Sequence, residues 1–346
     1  MKTKYTIKDI ANLAGVSKGT VDRVLHKRGK VSQDALEKVN KILEEIDYQP
    51  NLMARSLKNN KIFSICILLP DPNSDPYWLP CIEGIQNAKA EFMPFNISLE
   101  TFFFNPESTK SFLEINSIII KKSPDAVLLV PLFFKETLNV IEKYNASKIL
   151  VTTFNNQIQS KSIKSFVGQD LIQSGRVAAK LLDTILKKGD IAIVHINEVF
   201  KNAIHMQEKE KGFRNYFEEI NGSKYKIFTC KLKHPSFKKD LIDFLENHPS
   251  ISGIFITTSK AYQVAEVIEQ IDNSKITIVG YDLLDKNIKY MKKGIIDFLI
   301  NQNQKRQAYL GTIGLIEHFI FNKDISNKLL LPIDIVNTEN AKYYTA

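Results

Sequence analysis

Lys18, Gly19, Asp22 and Arg23 fall on one face of a short helical stretch whose other face carries Val21, Val24 and Leu25. A guanidinium displayed in this way can take O6 and N7 of a guanine through its two-pronged fork, worth about 1–3 kcal/mol of discrimination. Ser17, Thr20 and His26 lie within or next to the same stretch. A hydroxyl or imidazole there suits phosphate oxygens, which position a protein on a duplex without specifying sequence. Gly19 brings no side chain to that face. A second set of residues has the chemistry of a sugar or polyol site. Such sites pair an aromatic platform with Asp, Asn, Gln or Arg for the hydroxyls. Tyr77 and Trp78 are candidates for the platform, and Asp75, Asn155, Asp170, Asp282 and Gln302 for the hydroxyl partners. Each has an ordinary alternative. Trp78, the one tryptophan, also suits a core, and each polar residue also suits a turn or a helix cap.

Helices must present the first set. Thr6 has the side chain of an N-cap, with Asp9 three residues later, and Ile7, Ile10, Ala11 and Ala14 share one helical face. Gly15 permits a sharp turn and Ser17 caps the next helix, Lys18 to about His26. Ser32 starts a third, with Leu36, Val39, Leu43 and Ile46 at helical spacing. Two short helices around a Gly-containing turn have the spacing of a helix-turn-helix. Asn51–Leu57 and the basic run Lys58-Asn59-Asn60-Lys61 read as a linker. Beyond it, strands are predicted at 63–69, 98–104, 126–131, 148–153, 190–196, 225–231, 253–257 and 276–281. Helices such as 80–92, 173–187, 209–220 and 261–271 separate most of them. That alternation is the signature of parallel sheets built from βαβ units, in one sheet or two. The five polar candidates fall at strand C-terminal ends or crossings, where open α/β sheets bind ligands.

At 346 residues the chain exceeds one ordinary core and suits two or three domains. Of the net charge of +9, residues 1–61 carry +6, from 13 Lys+Arg against 7 Asp+Glu. A basic module on a near-neutral body fits nucleic acid at one end. Cys66, Cys81 and Cys230 have neither disulfide nor zinc spacing and fit a reducing cytosol. Met1-Lys2-Thr3-Lys4 lacks the apolar stretch of a signal peptide, and the apolar runs 62–69 and 126–134 are too short to span a bilayer. A cytoplasmic protein without a membrane partner is expected. Walker A, G-x-S-x-G and H-E-x-x-H patterns are missing, so no enzyme activity, cofactor or metal is expected.

Thr6-Ile7-Lys8-Asp9-Ile10-Ala11, Ala14-Gly15-Val16-Ser17, Thr20-Val21, Arg23-Val24-Leu25, Val31-Ser32, Tyr48, Pro50-Asn51 and Ala54-Arg55-Ser56-Leu57 carry a family resemblance. Through them the first 57 residues resemble the lactose-repressor (LacI/GalR-type) family of bacterial transcription regulators. The rest more loosely resembles that family's effector-binding body, which is similar to periplasmic sugar-binding proteins. Asp75-Pro76-Tyr77-Trp78, Val167-Gly168-Gln169-Asp170, Lys211-Gly212-Phe213, Val279-Gly280-Tyr281-Asp282 and Ile300-Asn301-Gln302 carry that part.

The resemblance implies an all-α helix-turn-helix headpiece and an α/β body of two doubly wound parallel-sheet lobes. It divides the chain into a DNA-binding domain at 1–49, a hinge helix and linker at 50–61, and an effector-binding and dimerisation body at 62–346. One lobe would comprise 62–166 plus 300–322 and the other 168–296 plus 333–346, with crossings near 167–171, 297–303 and 322–332. Lys18, Gly19 and Arg23 match base-contacting positions, and Thr6, Asn51 and Arg55 complete the DNA-binding set. Leu57 matches a hinge leucine that wedges into the minor groove. Two hinges meeting over one base step imply a homodimer on a near-palindromic operator. The effector between the lobes is expected to be a carbohydrate.

The departures are specific. Asp22 stands where the family usually has Ser, and His26 where it usually has Asn. A carboxylate facing phosphates is unfavourable unless it accepts from a cytosine amino group or pairs with Lys18 or His26. Lys209 replaces a cleft arginine, which puts a bidentate clamp in doubt, and Thr258 stands where Asp is common. The body alone would also suit a solute receptor or a sugar-acting enzyme. The basic headpiece and the missing signal peptide argue against the first, and the missing catalytic motifs against the second.

Overall fold

The structure, a computed structural model, describes residues 5–25, 29–46, 61–196, 203–220, 224–271 and 276–344. His26, Asn51, Arg55 and Leu57 lie outside them. The chain divides into two compact units, Met1–Asn59 and Asn60–Ala346.

The first unit holds α1 (Ile7–Ala14), α2 (Lys18–Leu25) and α3 (Gln33–Glu45). Thr6 and Asp9 close a capping box: the Thr6 amide donates to the Asp9 carboxylate at 2.8 Å, and the Asp9 amide donates to the Thr6 hydroxyl at 3.3 Å. Gly15, at φ +64°, ends α1 in the left-handed conformation that makes the turn possible. Ile10, Ala11, Ala14, Val21 and Val39 form a small buried core, flanked by the partly buried Val24, Leu25, Leu43 and Ile46.

The second unit contains two six-stranded sheets. The first runs β11-β5-β4-β3-β1-β2, built from β1 (Phe63–Pro70), β2 (Ile97–Phe104), β3 (Ala126–Leu129), β4 (Leu150–Asn155), β5 (Ile163–Gly168) and β11 (Lys328–Leu330). The second runs β12-β10-β9-β8-β6-β7. Its strands are β6 (Asp190–Ile196), β7 (Ile227–Leu232), β8 (Ile251–Ile256), β9 (Thr277–Tyr281), β10 (Phe298–Asn301) and β12 (Asp334–Val336). Every pairing is parallel except β10 with β12.

Alternation along the strands separates the two faces of each sheet. Ile65, Ile67 and Leu69 pack with α4 (Leu79–Glu91) and α12 (Gln304–Phe321), while Cys66 and Leu68 pack with α5 (Thr109–Lys122) and α6 (Phe134–Ala146). In the second lobe Ile191 and Ile193 face α7 (Leu171–Ile185) and α8 (Ile204–Glu219). Ala192, Val194 and Ile196 face α9 (Phe237–Asn247), α10 (Ala261–Gln270) and α11 (Asp285–Lys292). This is the doubly wound arrangement in both lobes. The eight predicted strand segments correspond to strands, while β5, β10, β11 and β12 have no counterpart among them. Three of those four hold only three or four residues, too short to show a period.

The lobes are joined three times. The chain leaves β5 for α7 across 168–171, leaves β10 for α12 across 301–304, and passes from β11 to β12 across 330–334.

Candidate effector cleft and DNA-reading helix

Strand ends of the two lobes bring polar side chains together. Asn155 and Asp282 end β4 and follow β9, both with positive φ, +72° and +67°. Asn and Asp tolerate that conformation better than other side chains. Asp282 is fully buried. Its two oxygens accept from the Gln302 backbone N–H at 3.2 Å and from Gln302 Nε2 at 2.8 Å. Burial pushes its carboxyl up to about 6, although the Lys209 cation and the Gln302 donors favour the charged form. At neutral pH it is therefore an ionised acceptor.

Asn155 Nδ2 donates to the Tyr77 hydroxyl and lies 3.5 Å from Gln307 Oε1. Burial raises the Tyr77 phenol well above its ordinary range, and the Asp282 charge pushes in the same direction. Tyr77 thus stays a neutral hydroxyl that accepts from Asn155. Lys209, only 2% exposed, donates to the Thr257 carbonyl oxygen at 3.0 Å and sits 3.6 Å from the centre of the Tyr281 ring. The Tyr281 hydroxyl pairs with Ser174 Oγ at 2.8 Å.

Lys209 is delivered there by a close helix crossing. A Cβ at Gly175 would lie 2.0 Å from the Lys209 carbonyl oxygen, and one at Gly212 would lie 1.8 Å from that of Ile172. Only glycines let α7 and α8 approach so closely. Beside Lys209, Glu210 anchors α8 to the second sheet. It meets His195 Nε2 at 2.7 Å and accepts from Thr229 Oγ1 at 2.7 Å and Arg214 Nε at 2.9 Å. Burial alone would raise its carboxyl, but those hydrogen bonds hold it down at about 2. The other His195 nitrogen meets Thr257 Oγ1 at 2.7 Å, so the network ends at the cleft edge of β8.

The remaining candidates are placed differently. Asp75 accepts from the Tyr77 amide at 3.0 Å and pairs with Lys260 of the other lobe at 3.7 Å. Trp78 is buried in the first lobe's core, its ring edge-on to Tyr77 at 4.7 Å. Asp170 caps α7, accepting from the Gln173 amide at 2.9 Å. The structure therefore brings together Tyr77, Asn155, Lys209, Asp282 and Gln302, sets Asp75 in an ion pair between the lobes, and uses Trp78 and Asp170 locally. Sequence reasoning missed Gln307, Thr257, Tyr281, Ser174 and Lys260. Tyr281 precedes a selected residue, whereas Gln307 lies inside an ordinary helix and gave no signal.

In the first unit, α2 presents Lys18, Gly19 and Arg23 to solvent, with Asp22 and Thr20 half-buried. Ser17 Oγ accepts from the Thr20 amide at 3.1 Å and lies 2.9 Å from the Thr20 hydroxyl, so both hydroxyls stand at the start of the helix. Arg23 Nη2 would lie 3.7 Å from a Cβ at Gly19, so the guanidinium folds back along the helix over the bare glycine.

A helix-turn-helix unit and a two-lobed α/β body define a class of DNA-binding regulator with an effector-binding domain. Residues 6–51 match the lacI family of bacterial regulatory proteins, and residues 65–313 match the periplasmic binding protein domain. The chain belongs to the lacI family and is a DNA-binding transcription regulator. It is 27% identical over 285 residues to the ribose operon repressor of Halalkalibacterium halodurans, covering 80% of each chain. It is 51% identical over 75 residues to the sucrose operon repressor of Klebsiella pneumoniae, covering 20% of this chain and 22% of that one. Among solved structures it is similar to one described as a LacI transcriptional regulator from Bacteroides fragilis, at a TM-score of 0.77 and 28% identity, covering 82% of this chain and all (100%) of that one. A solute binding protein from Burkholderia graminis, in complex with D-arabinose, shares the fold at a TM-score of 0.71 and 17% identity, covering 83% and 99%. No helix among the described residues is long and apolar enough to cross a membrane.

Proposed function

We propose that this regulator is a cytoplasmic homodimeric repressor whose operator affinity is set by a small carbohydrate bound between the two lobes. The observation that carries the reading is the convergence of Tyr77, Asn155, Lys209, Asp282 and Gln302 from both lobes. An ionised buried acceptor, a neutral phenol and amide donors together suit a polyhydroxylated, uncharged ligand. The ribose operon repressors among its relatives point to a pentose or related sugar as the first candidates. The body binds its ligand and does not turn it over.

The division of labour follows. Residues 1–49 read the operator, 50–61 link, and 62–346 respond to effector and dimerise. Arg23 and Lys18 contact bases, while Thr6, Ser17 and Thr20 position the unit on phosphates. Ligand binds one lobe arrangement better than another, and that difference in affinity shifts the DNA-binding equilibrium.

Fluorescence anisotropy with a near-palindromic operator, read with and without D-ribose, D-arabinose and D-allose, tests the reading. A sugar that acts should change operator affinity and also raise the melting temperature, because a ligand at about 100 times its Kd adds roughly 2.7 kcal/mol of stability. Operator binding unaffected by a broad sugar panel would sink it.

A further inference from the structure

Gln169 reaches all three connections between the lobes. It lies in the first crossing, is 1% exposed, and has its amide aimed at the other two. Its Nε2 donates to the Asn301 carbonyl oxygen in the second crossing at 2.9 Å and to the Pro332 carbonyl oxygen in the third at 2.6 Å. Two carbonyl oxygens can only be met by the nitrogen of the amide, so its orientation is fixed. Its Oε1 is buried without a hydrogen-bond partner. Backbone pairing supports the same junction, with the Leu331 amide donating to the Gly168 carbonyl at 2.8 Å.

The middle crossing is also held from the cleft. Gln302 donates twice to Asp282, and Gln307 Nε2 donates to the Gln302 carbonyl oxygen at 2.6 Å. A change at Asp282 therefore reaches Gln169 through two consecutive residues, Gln302 and Asn301. Lobe movement concentrates backbone rotation in a few terminal or loop residues. Three independent crossings could each flex alone, whereas three crossings sharing one amide must move together or lose its bonds.

We propose that Gln169 is a positioning residue that makes the three crossings a single hinge, so that effector contacts at Asp282 are transmitted to all of them. This rests on the reading that the lobes respond to an effector, but its test needs no ligand. Hydrogen exchange is measured by mass spectrometry on the full chain for wild type, Gln169→Met, Gln169→Asn and, as a control, Leu182→Ala in the buried core of the second lobe. Gln169→Met should accelerate exchange at least tenfold in both 298–304 and 328–334, which are far from it in sequence. Peptides from β1 and β8 should keep their wild-type rates. Gln169→Asn, one methylene shorter, should accelerate at least one of the two crossings if Gln169→Met does not fold. Leu182→Ala should instead accelerate the second lobe broadly. Wild-type rates at both crossings, in whichever Gln169 variant folds, overturn the proposal. So does acceleration spread evenly over both lobes. A panel of sugars that leaves operator binding unchanged would not alter this outcome, so the two readings fail separately.

Discussion

Asp282, the proposed effector acceptor, illustrates how a polar residue at a strand end works against the fold that holds it. Its carboxyl is raised from 3.8 to about 6 by burial, so the folded chain holds this proton more tightly than the unfolded chain. The stability it contributes is fully present below 3.8 and is lost as pH rises through about 6. That loss is on the order of 3 kcal/mol at roughly 1.4 kcal/mol per pKa unit. Urea unfolding at pH 4 to 7 should show this slope in wild type and a flatter one in Asp282→Asn. Effector affinity should run the other way, falling on acidification below about 6 as the acceptor is neutralised. At the DNA end, Arg23 is exposed and lies across Gly19. Arg23→Ala should lose about 1–3 kcal/mol of discrimination between operator variants while leaving weaker, sequence-independent binding. Anisotropy against single-base operator substitutions checks it. Equal loss on every sequence would reassign Arg23 to phosphate contact.

Between elements, the contact of α7 with α8 decides where Lys209 lies. The space at Gly212 and Gly175 is occupied by backbone of the other helix, which cannot yield as a flexible side chain would. Gly212→Ala should therefore separate the helices and destabilise by more than about 3 kcal/mol, seen as a lower urea midpoint. The Glu210 network ties α8 to β6, β7 and β8. Its carboxyl, held at about 2, contributes stability above the ordinary glutamate value of 4.5 that disappears as pH falls through about 2. Glu210→Gln should cost about 2–3 kcal/mol at neutral pH, since the Arg214 and His195 contacts lose a charged partner. Calorimetry at pH 7 and pH 3 should show the difference between variant and wild type shrinking at the lower pH.

At the scale of the molecule, local pattern and long-range assembly contributed differently. The helix-turn-helix was legible because Thr6, Gly15 and Ser17 act within a few residues of themselves, through caps and a turn. The doubly wound class was legible because buried strands and amphipathic helices alternate with a regular length. β5, β10, β11 and β12 were not, since strands at a sheet edge or beside a crossing owe their pairing to distant neighbours. Within the cleft, Asn155 and Asp282 could be selected as polar residues closing apolar strands. Gln307 and Gln169 could not, for their partners lie up to 152 and 163 residues away. Sequence by itself determined the helix-turn-helix, the class of body and the chemistry available at strand ends, because these depend on side-chain type and local period. Only the tertiary structure decided that Tyr77 meets Asn155, that Lys209 lies on Tyr281, and that one glutamine joins three crossings. Each of those depends on elements far apart in the chain being packed together, and no short stretch of the chain encodes that.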